Sequence, residues 1–311
     1  MRSLCLLALC CGAGLASAAS LGITQGFVAG ADQVEVHYRQ DGPLRAAHTL
    51  LLVPGWRVSS LIWAAQLRYF AGLGDRVVAI DSRSQGGSSV LCSHNSPEDR
   101  AGDILQVIAR LHLSHVTLVG WSQGAQDVSA YVSRFGTREV DDLVLVDSPV
   151  SAGPKEVAAN PKFLTIELRG ISLYSHDPRA YSAGMMRAII SIPTAATTID
   201  SLVGESMKTP ADVGTSMLIQ DLFTVDRRPY LEKFDKPTLV IASGRSPFLA
   251  AQKSMAASLP KGHMVVIQHA AHAVFFDQPA AFDTALQAFI TDTMTGSGAR
   301  TAETRTSGTR T

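Results

Sequence analysis

The chain has 311 residues, of which 46% are hydrophobic and 17% charged, a composition typical of a globular protein with a sizeable core. The 27 lysine and arginine residues equal the 27 aspartate and glutamate residues in number, so the formal net charge is zero. This balance argues against nucleic acid or an anionic membrane as a partner and favours a small neutral substrate. The length allows one large domain or two ordinary ones.

The N-terminal residues have the pattern of an export signal. Arg2 precedes an apolar run from Leu4 to Leu15, and Ala16–Ala18 has the small-x-small form of a signal peptidase site. The apolar run is shorter than the ~20 residues needed to cross a bilayer, so we expect no stable membrane insertion. The sequence therefore predicts a cleaved signal peptide over residues 1–18 and a secreted or periplasmic protein. An uncleaved anchor is the alternative. The mature chain would keep only Cys92, and thus no internal disulfide.

Short apolar runs next predict the strands of a sheet. Val34, Val36 and Tyr38 alternate with polar residues, which predicts a half-exposed antiparallel strand at a sheet edge. Continuous apolar runs predict strands buried on both faces, as in a parallel sheet covered by helices. These runs are residues 50–53, 77–80, 116–119, 143–146, 238–241 and 264–267.

Helical patterns separate these strands. Ser96 followed by Pro97 is a favourable helix start, residues 123–135 predict a second helix, and residues 282–290 show one apolar face of a last helix. The alternation predicts a mostly parallel, doubly wound α/β sheet in one domain, residues 19–292. Residues from about 149 to 230, here called the lid, contain helical and loop patterns but no buried strand. Residues 293–311 have almost nothing to bury and are predicted to be a disordered tail.

The pentapeptide Gly120–Gly124 has the form Gly-x-Ser-x-Gly, directly after a predicted buried strand and at the start of a predicted helix. Such a sharp strand-to-helix turn lifts the hydroxyl of its serine above the sheet, at the positive end of a helix. The context predicts that Ser122 is a nucleophile, which needs a base to accept its proton.

A serine nucleophile also needs preorganised N–H donors for the oxyanion of its tetrahedral intermediate. One donor is expected to be the backbone N–H of Gln123, the residue after the nucleophile. The other is expected in the loop Val53–Trp56, where Gly55 allows a close approach and the backbone N–H of Trp56 is the candidate. Trp56 as a pocket wall is the alternative.

Together these motifs resemble the serine α/β-hydrolase superfamily. The resemblance rests on the order of Pro54–Trp56 with Trp63, Asp81-x-Arg83-x-x-Gly86-x-Ser88, the Gly120–Gly124 elbow and Ala271-His272, and it extends over residues 25–290. The chain is most similar to the bacterial cofactor-free chloroperoxidase and arylesterase branch. Pro54 stands where that branch usually has a histidine.

The resemblance implies the α/β-hydrolase fold with a helical lid, and a catalytic histidine late in the chain. His272 matches that position, whereas His269 is expected to lie in a loop and His263 at the other end of the strand. Members of the branch hydrolyse small esters and make peracids without a cofactor, so neither a cofactor nor a metal is expected here.

The catalytic acid departs from the family pattern. It normally follows the strand that ends near Ala242, but residues 243–248 contain no carboxylate. Asp147, at the end of the predicted strand 143–146, is the best-placed substitute, and we expect it to hydrogen-bond to Nδ1 of His272. A Ser-His dyad, or a lid carboxylate such as Asp221 or Asp226, is the alternative.

The leading hypothesis is a serine esterase that acts on a small carboxylic ester through Ser122, His272 and Asp147. A lactonase, or a perhydrolase of the haloperoxidase type, would use the same residues. A protein of another class, a non-catalytic ligand-binding protein on the same fold, is a further alternative. Asp81 and Arg83 are expected to be structural. The sequence leaves the substrate and the oligomeric state open.

Overall fold

The apolar runs form one sheet in the computed structural model, which describes residues 22–159 and 161–306. Within this described part the sheet has eight strands in the order β1-β2-β4-β3-β5-β6-β7-β8. Strands β1, β2 and β4 pair antiparallel, and every other neighbouring pair is parallel. The strands are β1 Thr24–Ala29, β2 Glu35–Asp41, β3 Thr49–Val53, β4 Arg76–Ile80, β5 Val116–Trp121, β6 Asp142–Val146, β7 Thr238–Ser243 and β8 Gly262–Ile267.

Helices follow most of the strands, as the alternating pattern predicted. The helix Pro97–Arg110 begins as expected, because Ser96 and Asp99 form a capping box at its start and Pro97 is its first residue. The helices are α1 Ala64–Gly72, α2 Pro97–Arg110, α3 Gln123–Phe135, α4 Gly153–Ala158, α5 Pro161–His176, α6 Pro178–Ile189, α7 Ala196–Ser206, α8 Ala211–Phe223, α9 Leu249–Ser258, α10 Val274–Asp277 and α11 Pro279–Thr306.

Both faces of the sheet are covered, which explains why its central strands are continuously apolar. Leu50 and Leu52 of β3 belong to one core cluster with residues of α1 and α11. Leu51 and Val53, which alternate with them, belong to the other cluster with residues of α2 and α3. Successive side chains of a strand point to opposite faces, so a strand between two helical layers needs apolar residues at every position.

The lid is helical, as predicted. Helices α4 to α8 lie between β6 and β7, and an isolated bridge between Ala152 and Asp226 joins the two ends of the insertion. The lid therefore begins and ends near the carboxyl end of β6, at the edge where this kind of sheet builds its sites, and the chain then runs on to the amino end of β7.

The structure differs from the predictions near the start of the chain. Strand β2 is not at the edge, because β1 pairs outside it. Helix α11 extends to Thr306, and its apolar face packs in the core as far as Ile290. The disordered tail over residues 293–311 stays a prediction. The predicted signal peptide, residues 1–18, and residues 307–311 lie outside the described residues.

No helix in residues 22–159 and 161–306 combines the length and the apolar character that crossing a membrane requires. Cys92 is exposed and has a free thiol.

Candidate active site

The turn between β5 and α3 holds Ser122 in a strained backbone conformation. Its φ of 57° and ψ of −116° lie in a region that side-chain-bearing residues rarely adopt. A Cβ on Gly120 would lie 2.2 Å from the carbonyl oxygen of Gly124, and a Cβ on Gly124 would lie 2.5 Å from that of Val53. Only glycine fits at these two positions, so the predicted elbow is present and its glycines have a steric reason.

His272 and Asp147 meet as the sequence analysis expected. Nδ1 of His272 lies 2.8 Å from Oδ2 of Asp147, an ordinary hydrogen-bond length. Asp147 directly follows β6 and is buried, whereas the His272 side chain is one-third exposed. The other carboxylate oxygen of Asp147 accepts hydrogen bonds from the backbone N–H of Ser243, at 2.9 Å, and from Nε2 of Gln252, at 3.1 Å. The carboxylate is therefore fixed from two sides.

The loop that carries His272 is fixed as well. The indole N–H of Trp121 donates to the carbonyl oxygen of His272 at 2.9 Å, and the hydroxyl of Ser243 donates to that of Ala270 at 2.7 Å. Asp277 accepts a hydrogen bond from the backbone N–H of Ala271 at 2.7 Å. The backbone of this loop and the carboxylate of Asp147 together hold the His272 side chain in one orientation.

The candidate oxyanion donors lie beside the elbow. Strands β3 and β5 are paired so that Val53 lies opposite Gly120. This pairing brings the loop after β3 close to the turn at Ser122. A Cβ on Gly55 would lie 3.1 Å from Cβ of Ser122, so this glycine permits the close approach. Within the described residues, neither the backbone N–H of Trp56 nor that of Gln123 has an acceptor. Both remain available as oxyanion donors.

A chain of buried amides connects the two loops, and sequence reasoning missed it. Oε1 of Gln85 accepts a hydrogen bond from the backbone N–H of Arg57, and Nε2 of Gln85 donates to Oε1 of Gln123 at 3.1 Å. Nε2 of Gln123 donates in turn to Asp221 of lid helix α8. These hydrogen bonds connect the Trp56 loop, the elbow and the lid. Isolated polar residues in a loop did not reveal it.

The two lid carboxylates considered as catalytic acids are engaged elsewhere. Asp221 pairs with Arg100, whose guanidinium also binds Asp127. Burial raises the pKa of Asp221, and it raises the pKa of Asp127 to about 7 despite the attraction of Arg100. Asp226 pairs at 2.7 Å with Arg228 on the surface. Neither carboxylate contacts His272.

The remaining sequence candidates have structural environments. His263 packs edge-on against Phe289, and the carbonyl oxygen of His269 accepts a hydrogen bond from Gln278. Asp81 accepts hydrogen bonds from the backbone of Ser60 and Gly87 and from His37. Arg83 forms a buried ion pair with Asp103. No group of three or more potential metal ligands occurs in the part of the chain that the structure describes.

Comparison with known proteins identifies the family of the chain. Residues 50–285 match the model of the alpha/beta hydrolase family, which is most of the chain. The chain belongs to the alpha/beta hydrolase family. The resemblance to non-heme chloroperoxidases is also confirmed by sequence relatives within the family.

Two of these relatives align with only part of the chain. A non-heme haloperoxidase of Rhodococcus erythropolis is 32% identical over 46% of this chain and 50% of its own length. A bifunctional esterase/perhydrolase of Acinetobacter calcoaceticus is 33% identical over 40% of this chain and 44% of its own length. The chain thus aligns with about half the length of these two relatives.

Solved structures share the fold over nearly their full length. An esterase from Exiguobacterium antarcticum superposes with a TM-score of 0.78, covering 85% of this chain and 98% of its own at 18% identity. A bromoperoxidase from Bacillus anthracis gives a TM-score of 0.75, covering 86% of this chain and 100% of its own at 22% identity. These matches confirm the α/β-hydrolase fold.

Proposed function

We propose that this alpha/beta hydrolase is a serine esterase that cleaves a small carboxylic ester through Ser122, His272 and Asp147. The observation that carries the proposal is the 2.8 Å hydrogen bond between Nδ1 of His272 and Asp147, on the same edge of the sheet as the Ser122 elbow. Because Nδ1 donates to the carboxylate, Nε2 is left unprotonated and can act as a base.

The reaction follows from these roles. Nε2 of His272 takes the proton of the Ser122 hydroxyl while Oγ attacks the carbonyl carbon of the ester. The backbone N–H groups of Trp56 and Gln123 stabilise the negative charge on the carbonyl oxygen. His272 then gives its proton to the departing alcohol, which leaves an acyl-enzyme. A water molecule, deprotonated by His272, attacks this acyl group and releases the acid and free Ser122.

Asp147 has an electrostatic and orienting role in both halves of the reaction. Its carboxylate keeps the proton on Nδ1 and stabilises the imidazolium that forms when Nε2 accepts the serine proton. The hydrogen bonds from Ser243 and Gln252 hold the carboxylate in the orientation that this role needs.

Perhydrolysis is a second candidate, because the similar proteins include a haloperoxidase and an esterase/perhydrolase. In this reaction hydrogen peroxide replaces water as the nucleophile that attacks the acyl-enzyme, and the product is a peracid. The peracid would oxidise bromide in solution, so bromination of a dye in the presence of an ester and peroxide detects it. The activity should disappear with esterase activity when Ser122 is replaced.

The test of the proposed function is the Ser122→Ala variant. We expect ester turnover to fall by roughly 10³-fold or more, and covalent labelling by a fluorophosphonate to be lost. Ser133→Ala, on the same helix but away from the elbow, is the matched control and should keep both. Undiminished labelling of Ser122→Ala would refute the assignment. A wild-type protein that neither turns over esters nor reacts with the phosphonate would instead be a ligand-binding protein.

A further inference from the structure

Arg57 follows the candidate oxyanion residue Trp56 and has an unusual environment. It is only 1% exposed, and its φ of 55° places a bulky side chain in the left-handed region that favours glycine. Such a conformation is strained at a non-glycine residue. The mechanism above uses no part of the Arg57 side chain.

The guanidinium of Arg57 has few partners. Its Nη2 donates to the carbonyl oxygen of Ser206 at 3.0 Å, and its central carbon lies 4.0 Å from the ring centre of Tyr174. Within residues 22–159 and 161–306, Nε and Nη1 are buried and have no hydrogen-bond acceptor, and the buried hydroxyl of Ser206 has no hydrogen-bond partner. Buried donors that form no bond are expensive, so a site of this kind is incomplete without a further acceptor.

The charge of Arg57 is also uncompensated. Among the described ion pairs, the equally buried Arg83, Arg100 and Arg227 each contact at least one carboxylate, whereas none includes Arg57. Burial lowers the pKa of Arg57, only partly offset by the neighbouring tyrosines. A buried cation without an anion is strongly unfavourable unless something supplies the negative charge.

The position of Arg57 connects it to the candidate active site. Its backbone N–H binds Gln85, which also holds the side chain of Gln123 beside the nucleophile. Two of the groups around its guanidinium belong to the lid, Tyr174 of α5 and Ser206 of α7. The ring of Trp56, whose centre lies 5.3 Å from the central carbon, is a third. The guanidinium thus lies between the candidate oxyanion loop and the lid, and a ligand would reach it if the lid moved away.

We propose that Arg57 binds a carboxylate of the substrate, so that the preferred substrate is an ester carrying a second, negatively charged group in its acid or alcohol part. The proposal rests on the proposed esterase function and names its substrate class. A carboxylate would supply a missing acceptor for Nε or Nη1 and the missing negative charge. This negatively charged substrate differs from the neutral substrate that we expected from the net charge of the chain alone.

The kinetic test compares anionic and neutral esters of the same size. Mono-p-nitrophenyl adipate and p-nitrophenyl hexanoate differ in the acid part, while 3-acetoxybenzoate and 3-methylphenyl acetate differ in the alcohol part. The measured quantity is the ratio of kcat/KM for the anionic ester to that for its neutral partner. The ratio corrects for any general loss of activity in a variant.

We expect Arg57→Met to lower this ratio by roughly 30-fold or more for at least one substrate pair, as when one partner of a buried charge pair is removed. Arg57→Lys keeps the charge but loses the planar fork and should lower it by about 3- to 10-fold. Arg169→Met removes an exposed cation from lid helix α5 and should leave the ratio within about twofold. A ratio that changes less than threefold in both Arg57 variants would overturn the proposal.

A binding measurement separates this proposal from the esterase assignment. In Ser122→Ala, calorimetric titration should detect adipate or glutarate but not the neutral ester methyl hexanoate, and adding Arg57→Met should weaken binding of the dicarboxylate by roughly 30-fold or more. If Arg57-dependent binding is present but fluorophosphonate labelling is absent from the wild type, only the esterase assignment fails. If esters are hydrolysed but neither dicarboxylate binding nor the kinetic ratio depends on Arg57, only the carboxylate site fails.

Discussion

Replacing Asp147 by asparagine removes the charge from the residue that contacts His272 and changes little else in volume. In the wild type one carboxylate oxygen faces two donors, the backbone N–H of Ser243 and Nε2 of Gln252, and the other faces Nδ1 of His272. The amide oxygen of an asparagine should stay with the two donors, because its NH₂ group would oppose them. Its NH₂ group then points toward His272.

This orientation predicts the size of the effect. An NH₂ group facing Nδ1 makes Nδ1 an acceptor, so the imidazole proton moves to Nε2 and the base toward Ser122 is lost. The loss of the negative charge also removes the stabilisation of the imidazolium. We expect kcat for a p-nitrophenyl ester to fall by about 10²–10⁴-fold, with KM changed much less.

The assay is steady-state turnover of Asp147→Asn beside Asp142→Asn, the same exchange at the opposite end of β6. The control should keep kcat near the wild-type value. Ser246 accepts a hydrogen bond from the same Gln252 side chain that binds Asp147, so Ser246→Asp added to Asp147→Asn should restore part of the activity. A kcat of Asp147→Asn within threefold of the wild type would refute the relocated acid and favour a Ser-His dyad.

Three further outcomes are expected. We propose that residues 1–18 are a cleaved signal peptide, so intact-mass measurement of protein from the native host should give a chain that begins at or near Ala19, whereas a full-length cytosolic product would contradict export. Gly124→Ala places a Cβ 2.5 Å from the carbonyl oxygen of Val53 and should lower Tm by several degrees. In the control Gly184→Ala, within α6, the added Cβ has no atom within 4 Å beyond the adjacent residues and the helix backbone, so Tm should stay equal or rise. An equal fall in Tm in both variants would remove the steric argument for the elbow. Burial raises the pKa of Asp283 to about 6. The folded state therefore binds more protons than the unfolded state between about pH 4 and 6, and stability falls as pH rises through that range. With urea unfolding as the measurement, Asp283→Asn should reduce the fall in the free energy of unfolding between pH 4 and pH 7 by about 2–3 kcal/mol. The same pH dependence in the variant and the wild type would show that Asp283 titrates normally.

The amino-acid sequence by itself determined the features that depend on neighbouring residues. Continuous apolar runs identified the buried parallel strands, because a strand covered on both faces needs apolar side chains at every position. The elbow was equally recognisable, since the two glycines that the turn requires lie next to Ser122 in the chain. The outer strand β1 was missed because five of its six residues are not fully buried, so no apolar pattern marks it.

Only the tertiary structure decided which distant groups meet. Asp147 and His272 are 125 residues apart, and their contact depends on the pairing of β6, β7 and β8 at one edge of the sheet. No motif in the sequence marks Arg57, and only the structure shows that it is buried without a carboxylate partner among the described residues. Hydrogen bonds and ion pairs between remote side chains leave no periodic trace in a sequence, because they depend on the distance between two atoms and not on the spacing of residues along the chain.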